Sequence, residues 1–393
     1  MWHVIKSSCK WFLALILVAG ALENYCQTPP GSKFPEIRIQ ISKSQYGTLL
    51  QSKGQKTILK NPQMLFNGDT AVVKEIHSRG NNSLTFEHKS LSVELDKNVS
   101  VRRSGEKVKL KKFDLMNLVM DKNLWHNRWA FLHMSQFSVF PLFNIYCTLW
   151  INDQPQGIYL LVEKPRHYTN SINSPYMIRR GIDHTIQDEY IDTPSKDESK
   201  KFKKQYLSLY EDIGKYEGEE LYNRLQAKLH LEHYFEWLAF NYLIMNGDYA
   251  DELYLYILPA SGQFDILPWD YDDILRPNPH EGNQTRNSIA SLKNKLIFSS
   301  EDPLDRAIGS DEFIYRHYLE AFRKLLTTLT PEMINGISDR VKEELESVSN
   351  AETSKASLFL GKDPFQIDQA RQDMRVGLDF ILARRNALLK ELH

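Results

Sequence analysis

The residues best suited to chemistry are a group of acids that follows an apolar stretch. Residues 266–269 are Ile-Leu-Pro-Trp, and Asp270-Tyr271-Asp272-Asp273 follows, so three acids fall within four residues. Their like charges raise the free-energy cost of burial unless cations neutralise them. Carboxylate oxygens at this density suit a hard cation such as Mg²⁺ or Mn²⁺. The sequence therefore predicts a divalent-metal site among these acids.

Another acid, Asp248, comes at the end of a helical pattern, and only a loop and one hairpin separate it from Asp270. We expect the two acids to face each other from the tips of a helix and an apolar strand. Together they could supply a metal site and a carboxylate that accepts a hydroxyl proton, as phosphoryl transfer requires. The alternative is that these acids are solvated loop residues.

Phosphoryl transfer also needs basic groups and amides that hold the nucleotide. The first half of the chain offers Arg79-Gly80-Asn81-Asn82-Ser83, a polar turn with a glycine, and Lys89 at the head of a strand. The plainer interpretations are that the segment is only a turn and that Lys89 is a solvated surface lysine.

Composition and missing motifs exclude several other classes of protein. The 393 residues carry 49 Lys and Arg against 50 Asp and Glu, so no global field attracts nucleic acid or anionic lipid. The hydrophobic fraction of 42% indicates a packed globular protein, either one large bilobal unit or two domains. Walker, Rossmann, nucleophile-elbow and zinc-protease motifs are absent from the sequence.

The first residues have the layout of a secretory signal peptide. Lys6 and Lys10 precede the apolar residues 11–18, and Ala-Gly-Ala at 19–21 follows. We predict cleavage after residue 21, a flexible leader over residues 22–34, and a protein that is secreted or held in the periplasm or cell envelope. The apolar run is too short for a membrane span, and no later stretch is long enough.

Cysteine usage gives a second possibility for the leader. Cys26 could carry a lipid anchor, although Glu23-Asn24-Tyr25 lacks the small residues that lipid-anchoring processing prefers. Cys9 leaves with the signal peptide, and Cys147 lies in a strand-like run. We therefore expect no disulfide framework, and the fold must rest on its core.

Hydrophobic periodicity predicts an α+β fold. Period-two alternation predicts an antiparallel sheet with one wet face from residues 36–41, 71–76 and 90–95, and a hairpin from 145–151 and 157–162. A helix is expected at 124–134. The second half is mostly helical, with helices in 221–229 and 235–245, a hairpin at 253–257 and 264–269, and helices that start near Ser310, at Thr330 and in the last 25 residues or so. Residues 187–205 are rich in charge and are predicted to be a mobile insertion.

Four ordered motifs resemble those of the spore coat protein H (CotH) kinase family. They are residues 79–83 with 88–90, 151–163, 246–248 and 268–272, and the resemblance extends from about residue 35 to the C-terminus. It implies a bilobal, atypical protein-kinase-like fold, with an N-lobe over 35–163 and a C-lobe over 164–393. It also implies transfer of phosphate from ATP, with Mg²⁺ or Mn²⁺, to Ser or Thr hydroxyls of proteins.

The resemblance also implies roles for individual residues. Asp248 would be the catalytic base, and Asp270 with Asp272 would be the metal-binding acids. Lys89 would contact phosphate, and Glu163 would lie at the hinge near the nucleotide base. The segment with Arg79, Asn81 and Ser83 would complete the ATP site.

Departures from the family pattern leave a second function open. Asp251-Glu252-Leu253 occupies the loop where the family has asparagines, which makes Asp251 a candidate metal or substrate contact. Gly247 replaces a tryptophan, and His126 replaces an arginine. The sequence thus predicts either an exported kinase that acts on a secreted or surface protein, or a kinase-like surface or binding protein with weak or no catalysis. It predicts no oligomeric state.

Overall fold

The computed structural model describes residues 34–103, 106–192, 196–280, 288–350, 359–360 and 363–392. The predicted signal peptide, nearly all of the leader and Cys26 lie outside these residues. Within them, no helix combines the length and apolar character needed to cross a membrane. Cys147 is a buried free thiol.

A nine-stranded sheet draws all its strands from the first part of the chain. Its order is β2-β5-β6-β7-β9-β8-β1-β3-β4. Neighbours pair antiparallel except β1 and β8, which run parallel. The strands are β1 (Glu36–Gln40), β2 (Ile58–Leu59), β3 (Gln63–Phe66), β4 (Asp69–Ala71), β5 (Val73–Ser78), β6 (Leu91–Arg103), β7 (Glu106–Met116), β8 (Asn144–Ile151) and β9 (Gln154–Glu163). The predicted hairpin of β8 and β9 is confirmed.

This sheet is covered more fully than the alternation predicted. The rings of Phe66 on β3 and Phe113 on β7 lie 6.2 Å apart, although these strands are not neighbours, so the sheet curls around a core of its own. In β9, Tyr159 and Leu161 face this core, while Leu160 and Val162 face the larger core shared with the helices. The prediction of one wet face is confirmed for β1, where Ile37 and Ile39 are buried and their neighbours are partly exposed, and is wrong for residues 90–95, where Ser90 and Ser92 are buried as well.

The rest of the chain contains a small sheet and most of the helices. The small sheet is antiparallel, in the order β11-β10-β12-β13. Its strands are β10 (Tyr176–Arg180), β11 (Ile186–Ile191), β12 (Leu253–Ile257) and β13 (Phe264–Pro268), and a separate two-stranded ladder joins β14 (Phe359–Leu360) to β15 (Asp363–Pro364). The described helices are α1 (Lys43–Gln51), α2 (His126–Met134), α3 (Pro165–Ser171), α4 (Lys196–Ile213), α5 (Gly218–Gln226), α6 (Leu231–Ile244), α7 (Pro303–Ser310), α8 (Glu312–Thr328), α9 (Pro331–Asn350) and α10 (Ile367–Glu391). The α+β fold class is confirmed.

The described parts of the charged segment 187–205 belong to packed elements, contrary to the prediction of a mobile insertion. Its first residues form most of β11, which pairs with β10, and the described part from Lys196 onward begins helix α4. Phe202 is buried, and Tyr206 and Leu209 continue the same buried helix face. The prediction missed this because apolar residues three and four apart suffice to bury one helix face, even where the charge density is high.

Helices α7 and α8 each begin at a carboxylate cap. Asp302 accepts a hydrogen bond from the Leu304 amide at the start of α7, and Pro303 occupies the first helical position. Asp311 caps α8 by accepting from the amides of Phe313 and Ile314. The helix predicted to start near Ser310 therefore begins at Glu312, and Asp311 is its cap rather than a first-turn residue.

Candidate active site

A cleft of about 650 Å³ lies between the large sheet and the small sheet with its loops. Among the described residues, eight carboxylates and three guanidinium groups line it, so the wall is strongly acidic. The carboxylates belong to Asp121, Asp188, Asp248, Asp251, Glu252, Asp270, Asp272 and Asp273, and the guanidinium groups belong to Arg79, Arg179 and Arg276. The acids that the sequence singled out are therefore brought to one place.

Asp248 and Asp270 lie on tight backbone turns that border the cleft. Helix α6 ends at Ile244, and its C-cap residue Met245 has a left-handed φ of 50°. The Asp248 amide then donates to Asn246 Oδ1 over 3.2 Å. Strand β13 ends at Pro268, and Asp270 itself has a left-handed φ of 49°. A left-handed conformation is unfavourable for a residue other than glycine and is concentrated at functional sites.

The loop after α6 and the loop after β13 are joined by backbone hydrogen bonds. The Gly247 amide donates to the Asp273 carbonyl over 2.9 Å, and the His280 amide donates to the Gly247 carbonyl over 2.7 Å. The Trp269 amide donates to the Glu252 carbonyl over 2.9 Å. These bonds set the position of Asp248 relative to Asp270.

Gly247 allows the close approach of these loops and is not the residue that ends the helix. A Cβ atom at residue 247 would lie 2.7 Å from Asp273 Oδ2 and 3.1 Å from Arg276 Cγ. The left-handed C-cap residue of α6 is Met245. A tryptophan at 247, as in the family pattern, would not fit this arrangement of loops.

The crowded carboxylates resist ionisation. Burial raises the pKa of Asp270 above its ordinary value, although Arg79 and Arg179 oppose the shift. Burial and the charge of Asp270 raise the pKa of Asp272 to about 9. Asp270 Oδ1 is buried and has no hydrogen-bond partner. A buried, unpartnered carboxylate oxygen among like charges is the environment that a bound cation stabilises.

Asp248 lies nearer to solvent than Asp270. Its side chain is 45% exposed, and His280 Nδ1 is 3.9 Å from its Oδ2. Partial burial, followed by the charges of Asp251, Asp270 and Asp273, raises its pKa, and His280 opposes the shift. A carboxylate that is accessible and more basic than usual is suited to accept a hydroxyl proton.

Asp121 and helix α2 support the acid turn from behind. Asp121 accepts hydrogen bonds from the amides of His126 and Asn127, both 2.8 Å long, and so caps α2. Burial raises the pKa of Asp121 to about 7. Asn127 Oδ1 in turn accepts from the Tyr271 amide over 2.8 Å, and the His126 ring lies 3.1 Å from the Asp272 carbonyl oxygen. His126 therefore contacts the backbone of the turn.

The polar turn of the first half forms the opposite wall of the cleft. Arg79, Asn81 and Ser83 all line it. Arg79 Nε is 3.2 Å from Asp114 Oδ2, and its guanidinium carbon lies 5.6 Å from the centre of the Trp269 ring. Gly80 has a φ of 95°, which a residue with a side chain rarely adopts.

Two of the predicted ATP contacts do not line the cleft. Lys89 is 3% exposed, and its ammonium donates to the carbonyls of Leu84 and Ser52 over 2.6 and 2.9 Å. Ser90 lines the cleft, whereas Lys89, the residue before it, does not. Glu163 ends β9, and its carboxylate accepts from the Phe143 amide over 3.2 Å and lies 2.5 Å from His167 Nδ1.

Arg179, Glu252 and Asp121 are cleft residues without an assigned role in the sequence analysis. Arg179 Nη2 donates to Glu252 over 2.5 Å, and burial with the charge of Asp270 raises the pKa of Glu252 to about 8. Two consecutive arginines end the apolar strand β10, and this pattern was the available signal for Arg179. Asp121 lies five residues before His126. A capping side chain normally comes directly before the first helical turn, so the position of Asp121 in the sequence does not indicate that it caps α2.

These donors fit a hard divalent cation. The cleft acids offer carboxylate oxygens, which suit Mg²⁺ or Mn²⁺, and Asp270 Oδ1 lies there without a hydrogen-bond partner. Arg79 and Arg179 add positive charge that suits a phosphate chain. The cleft can therefore take a metal and an anionic phosphate ligand together.

Comparisons with known proteins give a family and several structural likenesses. A family model described as "CotH kinase protein" matches residues 76–388. The structure of the Helicobacter pylori proinflammatory kinase CtkA is similar at a TM-score of 0.36 and 11% identity, over 75% of this chain and 94% of that chain. The HipA, HipB and operator DNA complex of Shewanella oneidensis MR-1 is similar at a TM-score of 0.27 and 12% identity, over 74% of this chain and 65% of that chain. No curated protein matches. The family match includes every described cleft residue from Arg79 to His280.

Proposed function

Because the chain belongs to the CotH kinase family and is kinase-like, we propose that it is an exported protein kinase. It binds ATP with Mg²⁺ or Mn²⁺ in the cleft and transfers phosphate to Ser or Thr hydroxyls of secreted or surface proteins. The observation that carries the proposal is the convergence of Asp248, Asp270 and Asp272 on one cleft, opposite Arg79.

Each residue has a defined task in this proposal. Asp270 and Asp272 hold the metal, which supplies positive charge that neutralises the phosphates. Asp248, more exposed and with a raised pKa, orients the substrate hydroxyl and accepts its proton. Arg79 and Arg179, with the polar side chains of Asn81 and Ser83, hold the phosphate chain. Asp251 contacts the metal or the substrate.

Export of the protein is the second part of the proposal. It is supported by the charged start, the apolar residues 11–18 and the small residues 19–21. N-terminal sequencing of protein recovered outside the cytoplasm should begin at Leu22. A sequence that begins at Met1 would contradict cleavage, and a lipid on Cys26 would establish the anchored alternative.

One observation favours a second candidate, a kinase-like binding protein without transfer. Glu252, in the loop where the family has asparagines, is tied to Arg179. An acid held in this way is a weaker substitute for an amide ligand that is free to bind metal or substrate. Nucleotide binding would then persist without catalysis.

The test compares ATP binding and phosphate transfer in the same proteins. Calorimetry with and without Mg²⁺ or Mn²⁺ should show metal-dependent ATP binding by the wild type, and labelled ATP should transfer phosphate to the protein itself or to an added protein. Asp270→Asn should reduce both. Asp153→Asn, in an exposed hairpin turn with a side chain 72% exposed, is the matched control and should change neither.

The two candidates give different outcomes. Metal-dependent ATP binding without transfer under any tested condition would establish the binding-protein alternative. Failure of the folded wild type to bind ATP at all would contradict both the kinase and the nucleotide-binding variant of the alternative.

A further inference from the structure

A second group of potential metal ligands lies outside the cleft. His230, His233 and Asp265 each offer one ligand atom, and these atoms lie within 4.8 Å of one another. None of the three lines the cleft. His230 and His233 are at the start of α6, and Asp265 is the second residue of β13.

Backbone pairing fixes the three residues relative to one another. The His230 amide donates to the Phe264 carbonyl over 2.8 Å, and the Phe264 amide donates to the Lys228 carbonyl over 2.7 Å. His233 Nδ1 then lies 2.9 and 3.1 Å from the two oxygens of Asp265. The two imidazole rings are stacked, with centres 3.8 Å apart.

The electrostatic environment of this group favours a cation. Asp265 is 5% exposed, and no lysine or arginine pairs with it among the described residues. Burial alone would lower the pKa of His233, but Asp265, Glu236 and Glu232 together raise it. A buried carboxylate without a permanent positive partner is costly, and a bound metal ion would remove that cost.

We propose that His230, His233 and Asp265 bind one Zn²⁺ ion as a structural clamp between α6 and β13. Two imidazole nitrogens and one carboxylate oxygen form a donor set that Zn²⁺ accepts, with water or another group as the fourth ligand. With zinc–nitrogen bonds of about 2.0–2.1 Å, the donor atoms of a tetrahedral site lie roughly 3.3 Å apart, so the 2.9 Å contact of His233 with Asp265 would lengthen slightly and any wider separation would shorten. Both histidines are only partly buried.

Binding would exchange the present hydrogen bond for coordination. The nitrogen of His233 that now carries a proton toward Asp265 releases it to solvent, and the lone pair binds the metal. Asp265 keeps its hydrogen bonds from Tyr256 Oη, 3.3 Å away, and from its neighbouring amide of Ile266, 2.8 Å away. These partners orient the carboxylate as outer-shell contacts usually do in metal sites.

The clamp would join the two elements that carry the cleft acids. Helix α6 begins at the histidines and leads at its other end to Asp248. Asp265, the second residue of strand β13, precedes Asp270 by five residues, about 16 Å along an extended chain. A metal ion bound to these three residues therefore fixes α6 relative to β13 without contacting the cleft.

The experiment measures Zn²⁺ binding to the full-length, tag-free chain in excess Mg²⁺, which occupies the acidic cleft. The wild type should bind one equivalent of Zn²⁺ in equilibrium dialysis, and its thermal midpoint should rise by about 3–4 °C at a hundredfold excess over the Kd. His230→Ala/His233→Ala should bind none and show no rise. His317→Ala, a partly exposed histidine stacked on Tyr222, is the matched control and should behave as the wild type.

Two further measurements separate this site from the cleft and from misfolding. The same Zn²⁺ equivalent should remain in Asp270→Asn/Asp272→Asn, and its loss there would assign the metal to the cleft and overturn the proposal. Asp265→Asn, which keeps the shape of the side chain, should weaken Zn²⁺ binding at least tenfold while circular dichroism stays unchanged. Unchanged stoichiometry in the folded double-histidine variant would also overturn the proposal.

Discussion

At the scale of single residues, the cleft separates acids by their access to solvent. Asp270 presents a buried oxygen without a hydrogen bond, whereas nearly half of the Asp248 side chain is exposed. The first environment suits metal binding and the second suits contact with a substrate hydroxyl. This difference makes their proposed roles separable by mutation.

Asparagine substitutions should distinguish the three acids. Asp270→Asn removes a charge from the metal site, so metal-dependent ATP binding and phosphate transfer should both fall. Asp248→Asn should leave ATP binding nearly intact and lower turnover by about 10²- to 10⁴-fold, the usual contribution of a general base. Asp272→Asn should lie between them. Calorimetry and label transfer measure these effects, and equally small changes in all three variants would mean that the cleft does not transfer phosphate.

Alanine substitutions of Arg79 and Lys89, both in the first half of the chain, should affect ATP binding differently. Arg79 lines the cleft, so Arg79→Ala should weaken ATP binding by roughly ten- to a hundredfold, the worth of a charge-assisted hydrogen bond. Lys89 donates to two backbone carbonyls away from the cleft, so Lys89→Ala should lower stability and change ATP affinity less than threefold. Calorimetry on the folded variants measures both. A large loss of affinity in Lys89→Ala alone would restore its predicted phosphate contact.

At the scale of elements, the packing around a helix decides whether a substitution within it stabilises or destabilises the protein. Gly309 in α7 is buried, and a Cβ atom there would lie 2.3 Å from Leu292 Cδ2 and 3.0 Å from Ile297 Cδ1. Gly47 in α1 has no atom within 4 Å of the same position. The two glycines therefore form a matched pair.

Alanine should have opposite effects at these two sites. Gly309→Ala should destabilise the protein by about 1–3 kcal/mol, because overpacking exceeds the gain in helix propensity. Gly47→Ala should stabilise it by about 0.5–1 kcal/mol, because only the propensity changes. Chemical denaturation measures both free energies of unfolding. If both substitutions stabilised the protein, the side chains around Leu292 would be able to move aside for the added methyl group at no cost in free energy.

The elements also mark the limit of sequence-based prediction. The hairpin of β12 and β13 and the final helix were predictable because their periodicity is local and strong. Strand β7 was missed because lysines occupy its outward positions, and α4 was mistaken for an insertion because its buried face is narrow. The acids of the cleft could be named, but the burial of Lys89 away from the cleft depends on its bonds to the Leu84 and Ser52 carbonyls, and the contact with Ser52 joins residues distant in sequence.

At the scale of the whole molecule, a buried ion pair joins distant parts of the chain. Arg128 on α2 donates to both oxygens of Glu344 on α9 over 2.8 Å, and its Nη1 donates to the Asn144 carbonyl over 2.7 Å. Burial would raise the pKa of Glu344, but Arg128 and Arg340 lower it below its ordinary value. The pair thus connects the large sheet to the C-terminal helices.

Loss of this pair should be costly and dependent on pH. Glu344→Gln leaves Arg128 buried without its counter-charge and should destabilise the protein by about 3–5 kcal/mol at neutral pH. Since the pKa of Glu344 is lowered in the folded protein, its stabilising effect is complete above about pH 4.5 and is lost as pH falls through the folded value. The difference in free energy of unfolding between the wild type and Glu344→Gln should therefore become smaller in denaturation experiments near pH 3–4.

The surface pair of Glu211 and Lys215 supplies the control for this experiment. Both side chains are more than half exposed, so Glu211→Gln should change the free energy of unfolding by less than about 1 kcal/mol at either pH. A similarly small effect of Glu344→Gln would contradict the importance assigned to the buried pair.

The hydrogen bonds between the loops around Gly247 also limit how the cleft can close over a substrate. Amides of residues 247, 269, 275, 276 and 280 are all bonded to backbone carbonyls of the opposing segment or of α6. Asp248 and Asp270 must then move as one rigid body, since separating them breaks several of these bonds at once. Closure over a substrate would have to come from the other wall, by rotation of the large sheet with its polar turn on the microsecond-to-millisecond timescale of hinge motions.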